Sequence, residues 1–265
     1  MSGSSANVLH GRHAVVTGGG RGLGAVIAAT LADGGADLTL MGRTAAVLEA
    51  HAESLRLASH VRAQAVVCDV SQAEDVQRAF AEAARTLGPV QILINNAGQA
   101  DAALFQDISL ASWQRMLAVN LTGTFLCMQQ VLGAMMAAGS GRIVNVASVA
   151  GLKGGAQLAS YCAAKHGVIG LTRALAAETA RKGITVNAVC PGYTDDTDMF
   201  RTAVANVMRA TGRSKDDARA TLAKRSPRGA LITPREVADA VVWLCSPGAS
   251  AITGQAIAVA AGEIM

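Results

Sequence analysis

The chain has 265 residues, 51% of them apolar but only 3% aromatic, and a formal charge of +4. Its basic residues are scattered, which argues against a nucleic-acid surface and fits a protein that binds anionic small molecules. Cys68, Cys127, Cys162, Cys190 and Cys245 are odd in number and form no CxxC pair, so neither zinc nor a disulfide framework is expected, and a reducing compartment is.

The first residues, "MSGSSANVLHGR", lack the apolar centre of a signal peptide, and no run of 18 apolar residues follows. The expectation is a soluble, cytoplasmic protein with no membrane span. "HAVVT" (His13 to Thr17) predicts a strand, followed by a glycine-rich turn and a helix beginning near Gly22. "ADLTLM", "AQAVVCD", "QILIN", "GRIVNVAS", "ITVNAVC" and "QAIAVA" predict six more strands. Most are nearly all apolar, as strands covered on both faces must be. Ser71 stands before a helix, "QAEDVQRAFAEAARTLG", that closes at Gly88-Pro89. From Thr194 to Arg228 the strand rhythm stops, and two helical stretches appear, "MFRTAVANVMRATG" and "SKDDARATLAKR". An insertion of that length is expected to be functional. "TPRE" (Thr233 to Glu236) is a capping box that opens a last helix. Strand–helix alternation throughout, with no repeat or linker, predicts one α/β domain over residues 1–265, built on a doubly wound parallel sheet of about seven strands. Residues 194–228 form its helical substrate lid after the sixth strand.

"TGGGRGLG" (Thr17 to Gly24) sits between the first strand and first helix, with Gly18, Gly22 and Gly24 at TGxxxGxG spacing. There, glycines let the backbone approach a pyrophosphate, and the helix N-terminus supplies N–H groups and a positive dipole. The second strand ends in Gly42-Arg43 rather than in the carboxylate that would bind the adenosine ribose of NAD. A guanidinium grips a 2′-phosphate in forked geometry. Arg43, with Arg21 inside the loop, therefore favours NADP(H); NAD(H) remains the alternative.

"SYCAAKHGV" places Tyr161 four residues before Lys165, on one face of a helix. A free phenol has a pKa of about 10, and a neighbouring ammonium favours its ionised form. The pair therefore reads as a proton-transfer device. The motifs "TGGGRGLG", "NNAG" (Asn95 to Gly98), Asn120, Ser148, "YCAAK" and Pro191-Gly192 resemble, in order and spacing, those of the short-chain dehydrogenase/reductase family. The likeness covers residues 10 to 262. The stretch from Tyr161 to Gly192 is especially similar to 3-oxoacyl reductases and polyketide ketoreductases.

The resemblance implies a Rossmann-like fold and a ketone–alcohol oxidoreductase. In it Tyr161 is general acid/base, Lys165 holds the nicotinamide ribose, Ser148 bonds the substrate oxygen and Asn120 anchors a water relay to the lysine. It implies cofactor contacts from Gly18, Gly20, Arg21, Gly22 and Leu23 of the loop, from Arg43, and from the Asp69-Val70 pair at adenine. Further contacts are implied from Asn96, Ala97 and Gly98, and from Pro191, Gly192 and Thr194 near the nicotinamide. Asp69 also reads as a helix-capping turn residue, and "NNAG" as a brace for the fourth strand. Where the family has PG, three residues, then Thr-x-Met, this chain has "PGYTDDTDM", one residue longer.

Cys162 is read as a packed residue rather than a reactive thiol, and His166 as structural. The five histidines show no ligand spacing, so no metal is expected. The favoured substrate is a 3-oxoacyl thioester, on CoA or a carrier protein, or a similar β-keto compound. The lid's eight basic residues stand against five aspartates, which fits either a phosphate-receiving surface or a plain solvated face. An NAD-linked dehydrogenase of a secondary alcohol or 3-hydroxyacyl-CoA is the alternative. A non-catalytic dinucleotide sensor or a structural subunit is remote, because Ser148, Tyr161 and Lys165 are all present. The helices around Ser109 to Ala138 and Ala159 to Arg181 are apolar on more than one face. Such faces need a further partner, and the resemblance implies that these two helices pair across a two-fold axis in a homotetramer, with a dimer next.

Overall fold

The structure, a computed structural model, describes residues 7–264. Residues 1–6, half of the stretch read against a signal peptide, and Met265 lie outside the described residues, as do the extreme ends of the predicted domain.

All seven predicted strands form: β1 (His13–Thr17), β2 (Asp37–Gly42), β3 (Ala63–Val67), β4 (Ile92–Asn95), β5 (Gly141–Val146), β6 (Ile184–Pro191) and β7 (Ala256–Val259). They pair in parallel in the order β3-β2-β1-β4-β5-β6-β7. The central β1, β4, β5 and β6 are buried at every position. Alternate residues feed two cores, as the period of two requires. Ala14 and Val16 of β1 face α1 (Gly22–Asp33), α2 (Ala45–Ser59) and α9 (Pro234–Cys245), through Ile27, Leu48 and Val241. Val15 faces the other side, where Phe80 of α3 (Ala73–Leu87), Val131 of α5 (Gly123–Ala138) and Ala176 of α6 (Ala159–Thr179) pack. The chain reverses its direction across the sheet between β1 and β4. In a doubly wound sheet that switch point opens a crevice at the carboxyl ends of the strands.

Ser71 stands before α3 as expected; its hydroxyl donates to Asp69 Oδ1 at 2.7 Å, and Gln72 takes the N-cap position without a side-chain bond. Glu74 and Asp75 in the first turn supply the negative charge that the helix dipole favours. The helix expected over Ser109 to Ala138 is interrupted. It comprises α4 (Leu110–Leu117), capped by Ser109, a π-turn at Ala118–Thr122, and α5. Such turns are rare and concentrate at functional sites, and Asn120 lies in this one. By length and composition alone, Leu110–Ala138 would suit a membrane. Its Cys127, Val131 and Met135 are instead buried against the sheet.

The lid has its two expected helices, α7 (Asp198–Thr211) and α8 (Lys215–Ala223), with a small core of Phe200, Val204, Ala218 and Leu222. The longer "PGYTDDTDM" stretch turns at Asp195-Asp196, where Asp196 adopts a left-handed φ of 51°. The Thr233–Glu236 capping box is complete in both directions. Arg228, at the lid's end, bonds the same glutamate and, with the cap, holds its carboxyl at a pKa of about 2.

Candidate active site

At the carboxyl ends of the strands lies a cavity of about 570 Å³. Every predicted site residue except Asn120 lines it: Gly18, Gly20, Arg21, Gly22 and Leu23 from the loop after β1; Arg43 after β2; Asp69 and Val70 after β3; Asn96, Ala97 and Gly98 after β4; Ser148, Tyr161 and Lys165; and Pro191, Gly192 and Thr194 after β6. Volume and shape suit a ligand of dinucleotide length with a small substrate beside it.

The glycine loop fits a pyrophosphate by its own construction. Gly18 is left-handed (φ 65°), and a Cβ there would meet Asn96 Nδ2 at 2.9 Å. At Gly24 a Cβ would fall on the Gly18 carbonyl. No side chain larger than hydrogen is compatible with that crossing of loop and helix. Arg21, the N-cap of α1, makes no side-chain cap bond, so the first N–H groups of the helix face the cavity without a side-chain acceptor. "NNAG" braces this loop. The Asn96 and Ala97 amides both donate to Thr17 Oγ1 at 3.0 Å, and Asn96 Nδ2 donates to the Thr17 carbonyl at 2.9 Å. Asn95 turns into the sheet and donates to Asn145 Oδ1 at 2.8 Å. Asn95, Asn96 and Ala97 thus brace the loop and the sheet, while Asn96, Ala97 and Gly98 line the cavity. Asp69 likewise lines the cavity while its Oδ1 accepts from the Ser71 amide at 3.0 Å.

At the other end, Ser148 follows β5, with its Oγ accepting from the Ala150 amide at 3.1 Å. Tyr161 and Lys165 project from the first turns of α6, both nearly inaccessible to water at 8% and 3% exposure. The Lys165 ammonium lies 5.6 Å from the centre of the Tyr161 ring and donates to the Val146 carbonyl at 2.8 Å. The expectation that Lys165 lowers the phenol's pKa is corrected here. Burial pushes Tyr161 up to about 12, with the Ser148 hydroxyl pulling the other way. Lys165 is itself brought down by burial from 10.5 to about 8. Desolvation is the largest cause of both shifts, and neither group contributes to the other's.

Asn120 is the residue expected to anchor a water relay to Lys165. Fully buried in the π-turn, it stands one layer behind the cavity wall. Its Nδ2 donates to the Gln99 carbonyl at 2.9 Å and the Met116 carbonyl at 3.1 Å, and its Oδ1 accepts from the Gln99 amide. It makes no direct bond to Lys165. Gly98 separates the two: a Cβ there would meet Asn120 Oδ1 at 2.8 Å and Lys165 Nζ at 3.7 Å. His166 bonds the Cys162 carbonyl within α6, and Cys162 is buried beside Met116, Ala150 and Tyr161.

Arg21 and Arg43 differ. The Arg21 guanidinium lies 3.4 Å from Asp198 at the start of α7, an exposed pair joining the loop to the lid. Arg43, among the described residues, makes no ion pair and stands at the cavity edge. Of the lid's eight basic residues, three make ion pairs among the described residues: Arg201 with Asp196 and Asp198, Arg219 with Asp195, Arg228 with Glu236. The cavity wall also contains Lys153, Tyr193, Thr197, Arg225 and Glu263, which sequence spacing did not single out. Only Arg225, one of the lid's eight basic residues, carried a signal, that of a phosphate-receiving surface.

A doubly wound sheet with a glycine crossing at its switch point and a serine, tyrosine and lysine in the same crevice defines a nicotinamide-dinucleotide oxidoreductase. The chain belongs to the short chain dehydrogenase family, whose model matches residues 12–207. It is 38% identical over 254 residues to a 3-oxoacyl-[acyl-carrier-protein] reductase of Aquifex aeolicus, covering 96% of this chain and 98% of that one. It is 42% identical over 252 residues to a cis-4-hydroxycyclohexanecarboxylate dehydrogenase of Sinomonas cyclohexanicum, covering 95% and 96%. Among solved structures it is similar to a phenylalanine-to-tryptophan variant of actinorhodin polyketide ketoreductase with NADPH, at a TM-score of 0.92 and 37% identity, covering 97% and 98%. The chain is an NAD(P)-dependent enzyme acting on CH–OH groups.

Proposed function

We propose that the enzyme uses NADP(H) to interconvert a β-keto compound, with a 3-oxoacyl thioester as the leading substrate class, and the corresponding secondary alcohol. One observation carries this reading: Ser148, Tyr161 and Lys165 converge on the cavity that the glycine loop opens. NADP(H) supplies the hydride. Tyr161, protonated at neutral pH because burial raises its pKa, delivers the proton to the substrate oxygen. Ser148 donates to the same oxygen and steadies the charge that develops there. Lys165 holds the nicotinamide ribose, and Asn120 fixes the wall at Gly98 and Gln99 against which it lies. The thioester preference draws on the 3-oxoacyl reductase and polyketide ketoreductase relatives. With the three catalytic groups intact, a purely dinucleotide-sensing role is disfavoured.

Arg43 supports NADP(H) over NAD(H), because its guanidinium is unpaired at the end of β2, where a ribose 2′-phosphate would lie. Arg43→Asp is expected to reverse the preference. Fluorescence titration of both reduced dinucleotides checks this, and tighter NADH than NADPH binding by the unaltered enzyme would count against it.

A homotetramer is expected from the outer faces of α4–α6. Leu110, Phe125 and Met136 are exposed there, and the outer side of α6 carries Gly170, Ala174 and Ala177, which allow close helix approach. Light scattering at micromolar concentration checks the mass, and a monomer would exclude this assembly.

A further inference from the structure

Three segments meet at the end of the cavity away from the glycine loop. The Ser226 hydroxyl, where the lid rejoins the sheet, donates to the Ala261 carbonyl at 3.2 Å. Gly262 packs on Pro227, where a Cβ would lie 3.1 Å from its ring. Two residues beyond Ala261, Glu263 turns its side chain inward; it is only 5% exposed and lies 3.2 Å from Lys153 Nζ on the loop between Ser148 and Tyr161. Its Oε2 also approaches the α-carbon side of Gly192, to 3.0 Å of where a Cβ would stand. The C-terminal segment thus bridges the lid and the loop between Ser148 and Tyr161, and Arg225, Lys153 and Glu263 all form part of the cavity wall.

The charges on that wall do not cancel. Glu263 neutralises Lys153, and Asp198 is occupied by Arg21 and Arg201. The other acids lining the cavity, Asp69 and Asp101, accept from backbone amides, of Ser71 and Ala102 respectively. Arg225 has no acidic partner among the described residues. Its guanidinium carbon lies 5.6 Å from the centroid of the Tyr193 ring, and the exposed side chain lines the cavity. Lys153, held by Glu263, adds N–H donors without adding net charge.

We infer that Arg225, supported by the Lys153–Glu263 pair, is the specificity-determining group for an anionic part of the substrate: a carboxylate or phosphate joined to the reacting ketone through a spacer. This rests on the ketone-reductase reading above and names its substrate class further. The same chemistry is presented by two sources, the carboxylate of a small oxo acid and the phosphates of a phosphopantetheine thioester.

Two matched pairs separate them. Steady-state kinetics with NADPH compare 4-oxopentanoate with its methyl ester, and acetoacetyl-CoA with acetoacetyl-N-acetylcysteamine. The charged member of one pair is expected to lead its neutral partner in kcat/KM by at least about tenfold, the size of one charge-assisted hydrogen bond. A lead in the first pair identifies a substrate carboxylate, and in the second a thioester phosphate. Arg225→Gln is expected to bring that ratio to about one, acting through KM, and Arg225→Lys to restore part of it because the charge returns without the fork. Lys153→Gln is expected to lower the ratio less. Turnover of all four compounds without charge preference, or a ratio untouched by Arg225→Gln, overturns this inference alone. No turnover of any of them by an enzyme that still binds NADPH overturns the ketone-reductase reading, and this inference with it.

Discussion

Tyr161→Phe is expected to lower kcat for ketone reduction by about a thousandfold while changing the NADPH dissociation constant by no more than about twofold, since positioned proton transfer contributes roughly 10²–10⁴. The substitution keeps the ring that packs with Met116, Ala150 and Cys162 and removes only the transferable proton. The direction of pH dependence follows from the phenol's environment. Its pKa lies near 12, above the usual 10, because burial penalises the phenolate. At neutral pH the group is therefore in its acid form, ready to protonate an alkoxide as it develops. Alcohol oxidation needs the opposite form, so its rate is expected to climb with pH across the neutral range, while reduction shows no such rise. Ser148→Ala separates charge stabilisation from proton transfer. It is expected to lower turnover by about 10²–10³, as loss of one donor to a developing oxyanion does, and to leave cofactor affinity nearly intact. Stopped-flow reduction at several pH values, with dissociation constants from fluorescence, checks all three. Near-normal turnover in Tyr161→Phe would remove the phenol from the mechanism.

The strands were legible because a strand covered on both faces must be apolar along its whole length, and "ITVNAVC" or "QILIN" leaves no other reading. The glycine loop was legible because a crossing such as that of Gly24 over the Gly18 carbonyl admits no side chain, so the constraint is written in residue identity. The Tyr161–Lys165 pair was legible by helix spacing alone. Its energetics were not: i,i+4 spacing announces that two groups meet, but not that both lose their water, and the loss of water decides the shifts. Motif order names Asn120 but not its partners. A π-turn changes which way one residue points without changing composition, and here it turns the amide onto Gln99. The wall of Lys153, Arg225 and Glu263 joins positions far apart in the chain. Nothing in local pattern brings residue 263 beside residue 153; the fold of the C-terminal segment over the lid's end does.

Lys165→Met tests what that burial does to the second catalytic group. The ammonium is almost wholly enclosed, with the Val146 carbonyl as its hydrogen-bond partner and the Cys190 thiol and Tyr161 phenol as its titratable neighbours. Its pKa falls from 10.5 in the unfolded chain to about 8 in the folded one. Between those values the unfolded state binds more protons than the folded state, so stability rises with pH through that window. Conversely, as pH falls from 10.5 to 8 the native enzyme loses stability, because it must bury a charge that the unfolded chain keeps in water. Methionine has nearly the same length and carries no charge, so the variant escapes this loss. The difference in Tm between variant and parent is therefore expected to move in the variant's favour as pH is lowered from 10.5 to 8, and to level off below it. Function is expected to move the other way. On the proposed role of Lys165 at the nicotinamide ribose, loss of the ammonium is expected to weaken NADPH binding and lower turnover together. Thermal melts at four pH values, run beside dissociation constants and pH–rate profiles for the same two proteins, check both halves. A Tm difference that stayed constant with pH would mean Lys165 is not desolvated. A variant with unchanged NADPH affinity would mean the lysine does not hold the ribose.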